Sequence, residues 1–188
     1  MEPACASTAP SMRDALVRAA GAQAGKNGGT MHSGNGERLG EGLLRRGWTL
    51  GVAESCTGGL LGSRITDTPG SSAYFLGGVI AYSNLAKQRL LGVRAESLDR
   101  HGAVSRQVAL EMAQGIRHAL GTDVGISITG IAGPGGAAPG KPVGTTWIGV
   151  SGPAGEAVRH YLWKGDRLSN RDLSAEAALT LALSQIGT

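Results

Sequence analysis

The residues best suited to chemistry lie in Ala53-Glu54-Ser55-Cys56-Thr57-Gly58-Gly59. An apolar run, Trp48 to Ala53, precedes them and reads as a buried strand. Leu60, Leu61 and Ile65 follow and read as one face of a short helix. A hydroxyl and a thiol therefore sit where a strand turns into a helix. The helix start is expected to present unpaired backbone N–H groups, which favour an anion or a developing oxyanion. The same residues also fit a Ser/Thr-capped helix whose glycines allow close packing.

A hydroxyl nucleophile needs a base. The four histidines, His32, His101, His118 and His160, are scattered, and none falls at a predicted strand end, so a Ser-His-Asp triad finds no member. Lys87 is the sole lysine between Gly47 and Lys141 and lies one helical turn beyond the strand end at Tyr82-Ser83-Asn84. A lysine serves as base once burial or a neighbouring cation lowers its pKa. On its own, Lys87 also reads as an ordinary surface lysine. Cys56 is an alternative nucleophile or a small buried thiol beneath the turn. Glu54 fits a base, an orienting carboxylate or an acceptor at the helix start. A third strand end, Thr129, runs into Gly130-Ile131-Ala132-Gly133-Pro134-Gly135-Gly136. That loop is neither a Walker loop nor a dinucleotide-binding fingerprint, but its amides suit a phosphate. Arg167 offers a bidentate phosphate contact or is a plain surface arginine.

These residues need elements to bring them together. The spacing predicts a helix over 37–46, a strand over 49–53, a short helix ending near Asp67-Thr68-Pro69-Gly70, and a strand in the second half of 75–82. A short helix capped by Ser83-Asn84 and a helical turn over 95–100 follow. Next come a long helix over 106–120, capped by Ser105, and a strand over 124–129. Strands over 145–151 and 156–163 form an antiparallel pair, and Ser169 caps a last helix. Helices between the first three strands demand parallel pairing. The expected fold is α/β, a three-layer α/β/α sandwich with a mixed, mostly parallel sheet of about five strands. In such sheets ligands sit at the carboxyl ends of the strands, where Ser55, Tyr82, Lys87 and Thr129 all fall.

Composition narrows the function classes. A chain of 188 residues suits one domain with a proper core, and 41% hydrophobic but 4% aromatic residues mean that core is aliphatic. The 32 glycines follow no period, which excludes collagen. From Gly47 onward 12 basic residues face 10 acidic ones, with no clustered basic stripe, so no specific nucleic-acid partner is expected. No metal-ligand spacing is present, and no metal or cofactor is expected. No apolar run is long enough to span a membrane and no secretory signal opens the chain, so a cytoplasmic protein without a membrane partner is expected. Residues 1–34 read as a flexible extension and 35–188 as the folded domain. A symmetric homo-oligomer is expected, since small α/β domains often pair.

Six segments in order carry a resemblance: 53–59; Tyr82-Ser83-Asn84-Leu85-Ala86-Lys87; His101-Gly102-Ala103-Val104-Ser105; Thr129-Gly130-Ile131-Ala132-Gly133-Pro134; Lys141-Pro142-Val143-Gly144-Thr145; and Gly165-Asp166-Arg167. Together they are similar to the C-terminal domain family of the competence-damage protein CinA, over roughly Glu37 to the C-terminus. Stand-alone members of that family are nicotinamide-nucleotide amidases. The resemblance implies hydrolysis of nicotinamide mononucleotide (NMN) to nicotinate mononucleotide and ammonia without a metal, a step of pyridine-nucleotide salvage. It implies Ser55 as nucleophile, Lys87 as its base, Tyr82 as an assisting group and Thr129 beside the reacting amide. Substrate contacts would come from Thr57 and Gly58 after the nucleophile, from Gly130 and Gly133 of the loop, and from Arg167. Longer family members carry a further N-terminal domain, which is not expected within this chain. The competing reading is a non-catalytic nucleotide-binding or protein-interaction module linked to competence or DNA repair.

Overall fold

The computed structural model describes residues 34–187, so the predicted N-terminal extension lies outside the described residues. The first helix, α1 (Asn35–Arg46), buries Leu39 and Leu43 and stops at Gly47, whose φ of 61° lets its N–H reach back to the carbonyls of Leu43 and Leu44. Strand β1 (Leu50–Glu54) follows, then α2 (Leu60–Thr66), β2 (Phe75–Ile80), α3 (Asn84–Leu91), α4 (Ala95–His101) and α5 (Arg106–Leu120). The chain ends in β3 (Val124–Gly130), β4 (Thr145–Gly152), β5 (Gly155–Leu162) and α6 (Arg167–Ile186).

The strands form one sheet in the order β2-β1-β3-β4-β5. β1 pairs in parallel with both β2 and β3, and β4 and β5 complete the sheet antiparallel. Helices α1, α2 and α6 cover one face, over a core that includes Leu43, Ile126 and Leu179. Helices α3, α4 and α5 cover the other, over Ala53, Leu91, Val108 and Met112. This is the expected three-layer sandwich. Because both faces are covered, β1 is buried at every position and β3 at all but its last, which explains their unbroken apolar runs.

Two expectations are corrected. The second strand occupies 75–80, not the second half of 75–82: its pairing with β1 ends at Glu54↔Ile80, and the Ala81 N–H makes one more bond, to the Glu54 carbonyl, before the chain leaves the sheet. The last helix is capped by Asp166, not Ser169: the Asp166 carboxylate accepts the Ser169 N–H at 2.8 Å, and Ser169 lies in the first turn. Backbone bonds of this kind hold the Asp166 carboxyl below its usual range.

The topology locates a crevice. From β1 the chain crosses one face through α2 to β2, then crosses the other face through α3, α4 and α5 to β3 on the opposite side of β1. The switch point therefore lies between the carboxyl ends of β1 and β3, where a parallel sheet opens for a ligand.

Candidate active site

Ser55 is the first residue beyond β1. Its N–H donates to the Ile128 carbonyl of β3 at 3.0 Å, so its backbone is pinned to the neighbouring strand. Lys87 arrives from the other side of β1. Ser83 caps α3 by accepting the Ala86 N–H at 3.0 Å, which aims the first turn of α3 back toward the sheet. Lys87 is then buried with 1% of its surface exposed, its Nζ 2.9 Å from Ser55 Oγ and 2.7 Å from the Ala81 carbonyl oxygen. Ala81 is itself tied to β1 through the Glu54 carbonyl at 2.8 Å. Ser55 and Lys87 thus hang from one rung of the sheet.

The surroundings of Lys87 decide its charge. Both of its partners are neutral, and burial pushes the amine down from 10.5 to about 8. In the neutral form its lone pair accepts the Ser55 O–H, while one remaining N–H still donates to Ala81. Burial acts oppositely on the Cys56 thiol, raising it from 9.0 to about 11, so the thiol stays protonated near neutrality. Cys56 packs against Gly130, where an added Cβ would stand 3.1 Å from Sγ and 2.7 Å from Thr146 Oγ1. It fills space beneath the turn.

Glu54 resolves as an acceptor at the helix start. It is 1% exposed; Oε2 accepts the N–H groups of Gly59 and Leu61 at 3.0 and 3.1 Å, and Oε1 accepts that of Gly62 at 2.9 Å. The expectation of unpaired amides at this helix start is therefore corrected. The Gly58 N–H is spent as well, on the Ser55 carbonyl at 3.2 Å. In the turn itself, the Cys56 amide follows directly on Ser55.

Ser55, Cys56, Tyr82, Lys87, Thr129, Gly130, Gly133 and Arg167 all line one open cleft of about 250 Å³. That volume is on the scale of a ring-sized ligand, a benzene ring filling an enclosed cavity of roughly 150 Å³. Among the described residues no carboxylate lines the cleft, and its two basic side chains are Lys87 and Arg167. Thr57 and Gly58 are not brought to this wall. Gly58 takes a φ of 60° and turns the chain away, and the Thr57 carbonyl accepts Arg171 Nη2 at 2.6 Å. Thr129 Oγ1 donates to the Ala103 carbonyl at 2.8 Å and fixes the far wall. Arg167, first residue of α6, donates from Nη1 to the Gly133 carbonyl at 2.7 Å and from Nη2 to Tyr82 Oη at 3.2 Å, clasping the glycine loop to the tyrosine.

Sequence reasoning missed three supports. The Ala81 carbonyl orients Lys87, but a backbone group has no residue-type signal. Asn170 is buried in α6 and donates to the Ala132 carbonyl at 3.1 Å while accepting the Gly165 N–H at 3.0 Å, holding the loop to the helix. Lys141 donates to the His101 carbonyl and ties the far side of the loop to α4. Among the described residues no three His, Cys, Asp or Glu side chains gather as metal ligands would, and no helix is long and apolar enough to cross a membrane.

With this geometry in hand, the similarity to known proteins is specific. The family model for the CinA C-terminal domain matches residues 33–186. A CinA-like protein of Chlorobaculum tepidum is 54% identical over 142 residues, covering 73% of this chain and 34% of that protein. A CinA-like protein of Salinibacter ruber is 51% identical over 141 residues, covering 75% and 34%. The chain thus spans about a third of the length of the curated relatives it matches. Among solved structures, the competence or damage-inducible protein from Enterobacter asburiae superposes with a TM-score of 0.79 at 33% identity, covering 81% of this chain and 96% of that one.

Proposed function

This chain belongs to the CinA C-terminal domain family, and from that premise we propose that it is a nicotinamide mononucleotide amidohydrolase working through a Ser55–Lys87 dyad. The observation that carries the chemistry is the 2.9 Å contact between Ser55 Oγ and a buried Lys87 that has no anionic partner. The family resemblance carries the choice of amide. A cleft with Arg167 at its rim, and no carboxylate among the described residues that line it, suits a substrate bearing a phosphate.

In the proposed reaction neutral Lys87 takes the Ser55 proton as Oγ attacks the carboxamide carbon. The oxyanion faces the Cys56 amide beside Ser55, a donor of this kind being worth about 3 kcal/mol. Lys87 returns the proton to the departing nitrogen, and ammonia leaves. A water then gives a proton to Lys87 and its oxygen to the ester carbon, which releases nicotinate mononucleotide and restores Ser55. Tyr82 and Arg167 sit at the rim and hold the nucleotide, and Gly130 and Gly133 let the loop backbone approach it. The reaction is balanced without a metal.

The test is ammonia release from NMN by wild type and Ser55→Ala side by side, with chelator present. Release by wild type alone is expected. Equal release by both removes Ser55 from the reaction. No release by folded wild type overturns the amidase reading.

A further inference from the structure

Besides the Cys56 thiol, two buried ionisable side chains, Glu54 and Lys87, flank Ser55, and the mechanism uses only one of them. We propose that Glu54 is a positioning residue: its carboxylate holds the turn that aims Ser55. The proposal rests on Ser55 being the nucleophile and not on which amide is cut.

The geometry points this way at each step. Ser55 is anchored on its N-terminal side by backbone bonds alone, Ser55 N–H to Ile128 and Ala81 N–H to the Glu54 carbonyl. Nothing in the sheet fixes the residues after Ser55, because β1 ends at Glu54 and the chain turns through Gly58 and Gly59 at φ of 60° and 99°. Two glycines in a row leave such a turn free unless something holds it. The Glu54 side chain reaches forward over that turn and takes three N–H groups of the outgoing segment, at 2.9 to 3.1 Å. It thereby fixes the exit of the turn relative to its entry, with the Cys56 and Thr57 amides held between.

Glu54 does not line the cleft that Ser55 and Arg167 share, so it acts on Ser55 through the turn.

Glu54→Gln tests this with little change of shape. One side-chain oxygen becomes an NH₂ group, and in either orientation at least one backbone N–H then faces a donor. The readout is the rate at which phenylmethylsulfonyl fluoride modifies Ser55, followed by intact mass, with ammonia release from NMN measured alongside. We expect labelling and kcat to fall about tenfold or more, KM to change less, and the alkaline midpoint set by Lys87 to stay in place. A purely structural role would lower the melting temperature and leave the labelling rate of folded protein unchanged; that result overturns the proposal. Wild type that is not labelled at Ser55 removes the nucleophile reading and this proposal with it. If the variant does not fold, amide exchange of wild type decides: the Gly59, Leu61 and Gly62 amides should exchange slowly, and exchange at free-chain rates overturns the proposal.

Discussion

On the proposed mechanism, raising the pH should switch activity on. Lys87 is moved by burial from 10.5 to about 8. The proposed base is the neutral amine, so activity should be lost as pH falls through that value. At pH 7 about one molecule in ten then carries a neutral lysine, against about three in ten thousand for an unperturbed amine, a gain of roughly 300-fold. The assay is kcat/KM for ammonia release from NMN between pH 5.5 and 10. It should rise with unit slope and level off above about 8.5. Neither neighbouring titration mimics this limb: Cys56 is pushed up to about 11, and a substrate phosphate titrates near 6. Lys87→Arg keeps a cation but cannot give up its proton, and should lose roughly 10³-fold or more at every pH. A flat profile, a midpoint near 10.5, or an active Lys87→Arg would refute the reasoning.

Lys87→Met should stabilise the fold as it abolishes activity. The folded pKa of Lys87 lies below its unfolded value, so the buried amine costs stability below about pH 8, and the cost fades as pH rises toward 10.5. After allowing for the lost bond to Ala81, a gain of about 2 kcal/mol in urea melts at pH 7, shrinking at pH 10, is expected. Cys56→Ala should keep kcat within about threefold while losing about 1–2 kcal/mol of packing; loss of activity in folded protein would return the thiol to candidacy. Gly115→Ala should cost about 2 kcal/mol or more and slow turnover, because its Cβ would stand 1.9 Å from the Leu91 carbonyl at the end of α3, the helix that carries Lys87. Thermal melts and kcat measured together check this, and a neutral substitution would show that α3 is free to shift without moving its lysine.

The sheet was legible because burial on two faces leaves a plain mark. β1 and β3 read as unbroken apolar runs, and intervening helices forced them parallel. The crevice at their ends followed from connectivity alone. α3 was less legible, and the reason is physical. The sequence places Ala86, Lys87, Leu90 and Leu91 on this short helix without a face that sorts them: Lys87 and Leu91, four residues apart, turn inward, while Leu90 is more than half exposed. Glu54 was ambiguous for a different reason: its three partners lie five to eight residues ahead, and a reach of that kind exists only once the turn has formed.

Each of these departures from local rules lies within a turn or two of Ser55, where rule-breaking marks function. The surroundings of Glu54 and Lys87 also bear on why the proposed base is the lysine and not the neighbouring carboxylate. Glu54 is met by three N–H donors, which compensate a negative charge and leave it aimed at α2, away from the hydroxyl. Lys87 is met by a hydroxyl and a carbonyl, which satisfy hydrogen bonds but supply no counter-charge. Burial without an anion favours the neutral amine, and a neutral amine in contact with Ser55 Oγ is a base. Moving one carboxylate into contact with Lys87 would undo this: the amine would stay charged, donate to Ser55 instead of accepting from it, and leave the hydroxyl as inert as in free solution.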